Sequence, residues 1–262
     1  MIMLWGAWPL EQIKTFILIL MRVSAILFFM PVLGTRSTPA ISKIGLSMII
    51  SLLLLPLVKI EAQCFPHEPL FFVFFLLKEI ILGMILGLSV KVIFAGVQAG
   101  GHISGFHMGF TMAQIIDPQT ESQETVITQL YFFLSLLIFL AIDGHHWFIR
   151  ALTYSFEIIP LGSFFLKAQL GEYLLKLSGT IFIIAVKIAA PILVALFLVQ
   201  MGLGILAKAA PQINIMMTSF PLIIAVGLLI LALSTVLMIG YLKEILLGIS
   251  RGLVLEILPM AK

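Results

Sequence analysis

Six stretches of this 262-residue chain are apolar over lengths that approach or exceed a bilayer crossing: residues 15–33, 44–58, 70–97, 126–142, 177–206 and 213–242. A membrane-spanning helix needs about 20 predominantly apolar residues. Backbone in lipid has no water to bond, so each N–H and C=O must be satisfied within a helix or a closed barrel. Runs this long and this uniformly apolar fit membrane-spanning helices. The composition agrees: 61% of residues are hydrophobic and 10% are charged, against about 25% charged in soluble domains. The expected fold is an all-α integral membrane protein of about six hydrophobic helices. The first run is longer than the apolar core of a signal peptide and has no clear cleavage site, so it reads as a retained segment.

The balance of charge excludes some partners. The net charge of +3 is spread thinly, with no Lys/Arg cluster that could follow a phosphate backbone. No nucleic-acid partner is expected. Cys64 is the only cysteine, so no intrachain disulfide can form. The basic residues of the loops show no alternating bias, and the positive-inside rule assigns no orientation.

Breaks and charges inside the apolar runs carry more information than the runs. Pro31, Pro56, Pro191 and Pro221 lie in or at the ends of these runs, and each removes a backbone donor. Thr38-Pro39 and Asp117-Pro118 each place a capping side chain before a proline, a pattern that predicts helix starts. Arg22, Lys78, Glu79, Lys91 and Lys187 all fall within apolar runs. Each would cost roughly 2.5–3.5 kcal/mol or more if exposed to lipid at mid-bilayer. Lys78 and Glu79 are adjacent and point about 100° apart on a helix. These charges are expected to meet other helices, other subunits or water.

The stretch from Gly100 to Ala113 is unusual. Gly101, Gly105 and Gly109 recur every four residues, and Gly83 and Gly87 repeat that spacing upstream. On a helix the glycines form a smooth stripe for close packing. Yet each costs about 1 kcal/mol relative to Ala in a helix interior. The other reading is a flexible loop in which Phe106, Met108, Phe110 and Met112 exclude water from a pore, a hydrophobic constriction. Asp143-Gly144-His145-His146 invites comparison with metal sites. Adjacent histidines lack the HExxH spacing of a helical site, so a membrane-boundary turn anchored by Trp147 is expected and no metal is assigned. No GxxxxGK[ST] loop and no catalytic set is present. The chain reads as neither an enzyme nor a cofactor-binding protein.

Several blocks together resemble the FliR/SctT family, the R-type core subunit of the flagellar and virulence type III export gate. The first is Pro31-Val32-Leu33-Gly34-Thr35-Arg36-Ser37-Thr38-Pro39, followed by Lys43 to Leu46. The second runs from Glu79 to Gly87 and on through Gly100, Met108-Gly109 and Ala113 to Asp117-Pro118. The third is Phe139 to His146, with Ser155-Phe156 and Ile159-Pro160-Leu161-Gly162; the fourth is Ala210 to Asn214, with Pro221 and Gly227. Their order and spacing, over nearly the whole chain, carry the likeness. Two positions depart from the family pattern: His102 stands where an acidic residue is common, and His107 where glutamine is common.

The resemblance implies a helical subunit with broken helices and hairpins, assembling with P-type and Q-type export gate subunits into a spiral pore complex. B-type and A-type export proteins would be further partners, unfolded export substrates the cargo, and the bacterial inner membrane the setting. It implies a P-like region over residues 1–176 and a Q-like hairpin over 177–262. The glycine-rich stretch, with Gly101, Gly105, Phe106, Met108, Gly109, Phe110 and Met112, would seal the resting channel. Arg36, Lys187, Gln212 and Asn214 are the expected subunit contacts. The competing class is a small-molecule secondary transporter whose midplane site would use helices broken at Pro191 and Pro221.

Overall fold

The computed structural model describes residues 10–31, 34, 38–58, 68–111, 125–165, 167–209 and 215–252, with side chains at 215–218 and 249–252 left out. Among these residues there are seven helices and no strands. They are α1 (Leu10–Phe29), α2 (Ala40–Leu54), α3 (Pro69–His107), α4 (Val126–Ala141), α5 (Gly144–Ile158), α6 (Ala168–Ala209) and α7 (Ile215–Gly252). Four of them, α1, α3, α6 and α7, are long and apolar enough to cross a membrane, five if α4 and α5 form one broken span. The expected all-α membrane architecture is what the chain adopts.

Four expectations need correction. The helix beginning the second segment starts at Ala40 with Pro39 in the N-cap position, one place earlier than a proline in the first helical turn. Amides of Ser42 and Lys43 both bond the Pro39 carbonyl. Pro191 and Pro221 do not break their helices. Each lies inside a continuous one, because the local loss of one donor is small beside the bonds that continue on either side. The third segment does not end near Val97 but runs to His107, so the first half of the glycine-rich stretch is helix. Finally, α5 was not foreseen. Its buried residues Phe148, Ala151, Leu152, Ser155 and Phe156 follow helical spacing, while Arg150 and Tyr154 are exposed. A search for uniformly apolar runs passes over such an amphipathic pattern.

Packing divides the chain into two units. One comprises residues 1–91, 143–175 and 247–262, the other 92–142 and 176–246. The cuts fall inside α3, α6 and α7 and between α4 and α5. In the first unit α2 packs on α1, and α1 is drawn close to α3 at two glycines. A Cβ at Gly83 would lie 2.7 Å from the Ala25 Cβ and the Arg22 carbonyl, and one at Gly87 2.6 Å from the Phe29 Cβ. Leu18, Ile19, Val23 and Leu82 are fully buried there. The second unit buries Ile93, Val97, Ile184, Ala189, Ile192 and Leu242.

Candidate functional site: a glycine-lined helix end and a buried ionic hub

Two features stand out, one in each unit. In the second unit, the C-terminal half of α3 presents small residues to two neighbours. A Cβ at Gly96 would meet Ile184 at 2.8 Å, and one at Gly100 the Ala185 carbonyl at 3.0 Å, both on α6. On another face, Gly101 lies against Tyr131 and Thr128, and Gly105 against Thr125, at 2.7 Å from the nearest atom in each case. Thr125 is the N-cap of α4 and accepts the Thr128 amide, so Gly105 fits against a capped helix start. Among described residues the glycines are therefore a packing stripe.

The helix then ends for a local reason. Gly109 has φ +87°. Its amide donates to the Phe106 carbonyl and the Phe110 amide to Gly105, both at 3.0 Å, the paired bonds of a Schellman cap. A left-handed residue is needed at that point, and glycine takes it without strain. Met108, just before it, is fully buried and lies beside Gly227 of α7, where a Cβ would come within 2.7 Å of its side chain. Phe220 closes over Gly109. Phe106, by contrast, is 61% exposed, and Phe110 is half-buried. His107 borders an apolar pocket of about 410 Å³ with Leu193, Val194, Phe197, Leu198 and Gln200. The proposed sealing residues are thus split: Met108 and Gly109 are packed and Phe106 is not. Met112 lies outside the described residues.

In the first unit, Arg22 is 0% exposed and bonds Glu79, itself 0% exposed, through Nε. Its two remaining nitrogens donate to the Ile159 carbonyl at 3.1 Å, and Nη1 also reaches the Ser155 carbonyl at 3.1 Å. Its plane stacks on Phe156 at 4.3 Å. Arg22 thereby caps the end of α5: it adds a second donor to the Ser155 carbonyl, which the Ile159 amide also serves at 3.0 Å, and supplies the donors to the Ile159 carbonyl just beyond the helix. The other Glu79 oxygen accepts the Gly162 amide at 2.7 Å, while Lys78 donates to the Gly162 carbonyl at 3.2 Å. Adjacent side chains of α3 thus hold both backbone groups of one residue. Gly162 sits third in the turn closed by the Ser163 amide and Pro160 carbonyl. Its φ of +76° is what a type II turn requires there. Any Cβ would collide with the Phe75 ring.

Of the partners expected for these charges, other helices are the ones that Arg22 and Glu79 meet. Arg22, Lys78 and Glu79 are satisfied by other parts of the same unit, and Lys91 lies 5.1 Å from the Phe29 ring centre. Lys187, an expected subunit contact, is exposed on α6 and 5.0 Å from the Tyr241 ring centre. Arg36, Gln212 and Asn214, the other expected contacts, lie outside the described residues, as does Asp117-Pro118. The hub itself was missed as a site. The available signal was the opposite charge of Arg22 and Glu79 in two separate apolar runs. Its backbone partners, Ser155 and Ile159 to Gly162, stand within the third block of the resemblance.

Long apolar helices, a close-packed glycine stripe and a fully paired buried ion pair define an integral membrane protein of helical bundles. Residues 13–249 match the family model described as bacterial export proteins, family 1. The flagellar biosynthetic protein FliR of Bacillus subtilis (strain 168) is 32% identical over 225 residues, covering 85% of this chain and 86% of that protein. FliR of Escherichia coli (strain K12) is 32% identical over 213 residues, 81% of each chain. FliR of Aquifex aeolicus (strain VF5) is 28% identical over 227 residues, 86% of each. The chain belongs to the bacterial export protein family 1, the FliR/SctT family.

Proposed function

We propose that this protein is a structural, non-catalytic subunit of the flagellar type III export apparatus, forming part of the inner-membrane conduit for unfolded substrates. The observation that carries this is the family match, which runs from residue 13 to residue 249. The fold supports it. Four to five candidate spans suit a membrane-embedded component, and α6 and α7 expose much of their apolar surface, including Phe182, Phe197, Leu198, Val236 and Leu237. Such faces suit neighbouring helices of P-type and Q-type subunits, with B-type and A-type proteins nearby. We read residues 177–262 as the Q-like hairpin. The Lys187–Tyr241 contact between α6 and α7 supports their antiparallel pairing. The transporter reading is not favoured: the chain is an export family member, and α6 and α7 run unbroken through Pro191 and Pro221.

Within the conduit, the turn Met108–Thr111 is the proposed seal. It is held by apolar contacts to Gly227 and Phe220 together with its own cap bonds, and apolar contacts can release and re-form. Co-expression with the smaller gate subunits tests both levels. The chain should co-purify with them. The assembled complex carrying Phe106→Gly, Met108→Gly and Phe110→Gly should conduct ions in a planar bilayer where the parent does not. A monodisperse chain without affinity for those subunits would sink the gate reading. An assembled variant as ion-tight as the parent would sink the seal alone.

A further inference from the structure

The first turn of α5 gathers three metal-ligating groups in an arrangement their spacing does not suggest. Asp143, His145 and His146 each offer a ligand atom, and these atoms all lie within 4.8 Å of one another. The cause is the backbone at Asp143. It is the described non-glycine residue with positive φ, at +57°. In that conformation its carbonyl accepts the His146 amide at 2.9 Å, while its side chain makes no cap bond to the helix. An aspartate before a helix ordinarily caps it. Here the carboxylate turns to His146 instead, with Oδ1 at 3.3 Å from Nδ1. The two imidazoles, which ideal helical spacing would send to different sides, lie 4.2 Å apart centre to centre and inclined by 38°. The Nδ1 of His145 is buried and has no hydrogen-bond partner.

We infer that Asp143, His145 and His146 form a site for a borderline divalent transition metal of the zinc class. Two imidazoles and one carboxylate match that class, whereas calcium and magnesium prefer oxygen alone. Three protein ligands leave a tetrahedral zinc one open position, for water or a group from another chain. The positive end of the α5 dipole disfavours a cation here. Binding therefore has to rest on the imidazole lone pairs and the Asp143 charge, and loss of either kind of ligand should be felt strongly.

Cobalt(II) serves as the probe, titrated into the full-length chain in detergent, purified without a histidine tag. The expected result is a tetrahedral ligand-field spectrum saturating at one equivalent and displaced by zinc. His145→Ala, His146→Ala and Asp143→Asn should each weaken it by more than the roughly 10–100-fold typical for loss of an outer-shell partner. His102→Ala and His107→Ala should leave it unchanged. The chain has five histidines, so replacing His67, His102 and His107 leaves only the pair in question. Copper(II) bound to that variant should then show two coupled imidazole nitrogens by electron paramagnetic resonance. This second measurement needs no change at the site, so it decides the matter even where a site variant misfolds. No saturable cobalt spectrum, a spectrum insensitive to His145 and His146, or fewer than two coupled nitrogens would overturn the inference.

Discussion

Arg22 shows how a charge persists inside an apolar unit. Its desolvation is offset because every nitrogen of the guanidinium has an acceptor, three of these bonds going to backbone carbonyls. A planar fork can do this where a lysine ammonium could not. Breaking a buried ion pair on one side typically costs about 3–5 kcal/mol. Arg22→Ala should therefore lower the thermal unfolding midpoint of the detergent-solubilised chain sharply. Replacing both partners by apolar residues of similar volume is often neutral, but that rescue should fail here. In Arg22→Met/Glu79→Leu the Gly162 amide and the Ile159 carbonyl remain in place without these partners. Each buried group left so costs about 1–3 kcal/mol. A double variant that melts with the parent would show that the backbone bonds add nothing.

Glycines divide the helices into faces that touch and faces that do not. Along α3, a methyl group at Gly101 would meet the Tyr131 ring at 2.7 Å and the Thr128 Cα at 3.0 Å, the latter backbone that cannot swing aside. Along α6, Gly179 is exposed and meets nothing within 4 Å. Alanine in a helix interior is worth about 0.5–1 kcal/mol over glycine, whereas overpacking costs typically 1–3 kcal/mol. Gly179→Ala should therefore raise the unfolding midpoint of the solubilised chain, and Gly101→Ala should lower it. Bulkier residues at Gly101 and Gly105 meet the same obstacle. They would first force α3 away from α4, and loss of stability should precede any selective effect on export. Equal shifts for the two alanine variants would contradict the packing stripe.

At the scale of the whole molecule, enclosure is uneven. Much of α3 is buried, whereas much of α7 is exposed. Val236 and Leu237 on α7 are 74% and 73% exposed. Lipid would cover them without selectivity, whereas a partner helix would recognise their shape through packing. If partner subunits cover this face, Val236→Ala/Leu237→Ala should leave the melting of the chain alone almost unchanged but reduce recovery of the gate complex on co-purification. Full recovery of the complex would assign the face to lipid.

The sequence by itself determined the membrane setting, the helical class and the core of six of the seven helices, because apolar length alone forces helical backbone in lipid. Its ordered blocks also carried the family resemblance. It signalled that Arg22, Lys78 and Glu79 were anomalous but not that they converge on Gly162. Their partners lie more than 80 residues further along the chain or, for Arg22 and Glu79, in a different apolar run. Local spacing describes one helix face and cannot say which other helix lies against it. The tertiary structure alone decided that the Gly100–His107 segment is helix, that Met108 is buried while Phe106 is exposed, and that the Ser155 and Ile159 carbonyls at the end of α5 accept Arg22. It also turned Asp143 into a left-handed corner that brings two neighbouring histidines together. In each case the deciding quantity was a distance between groups whose separation along the chain, or whose backbone angle, no periodicity encodes.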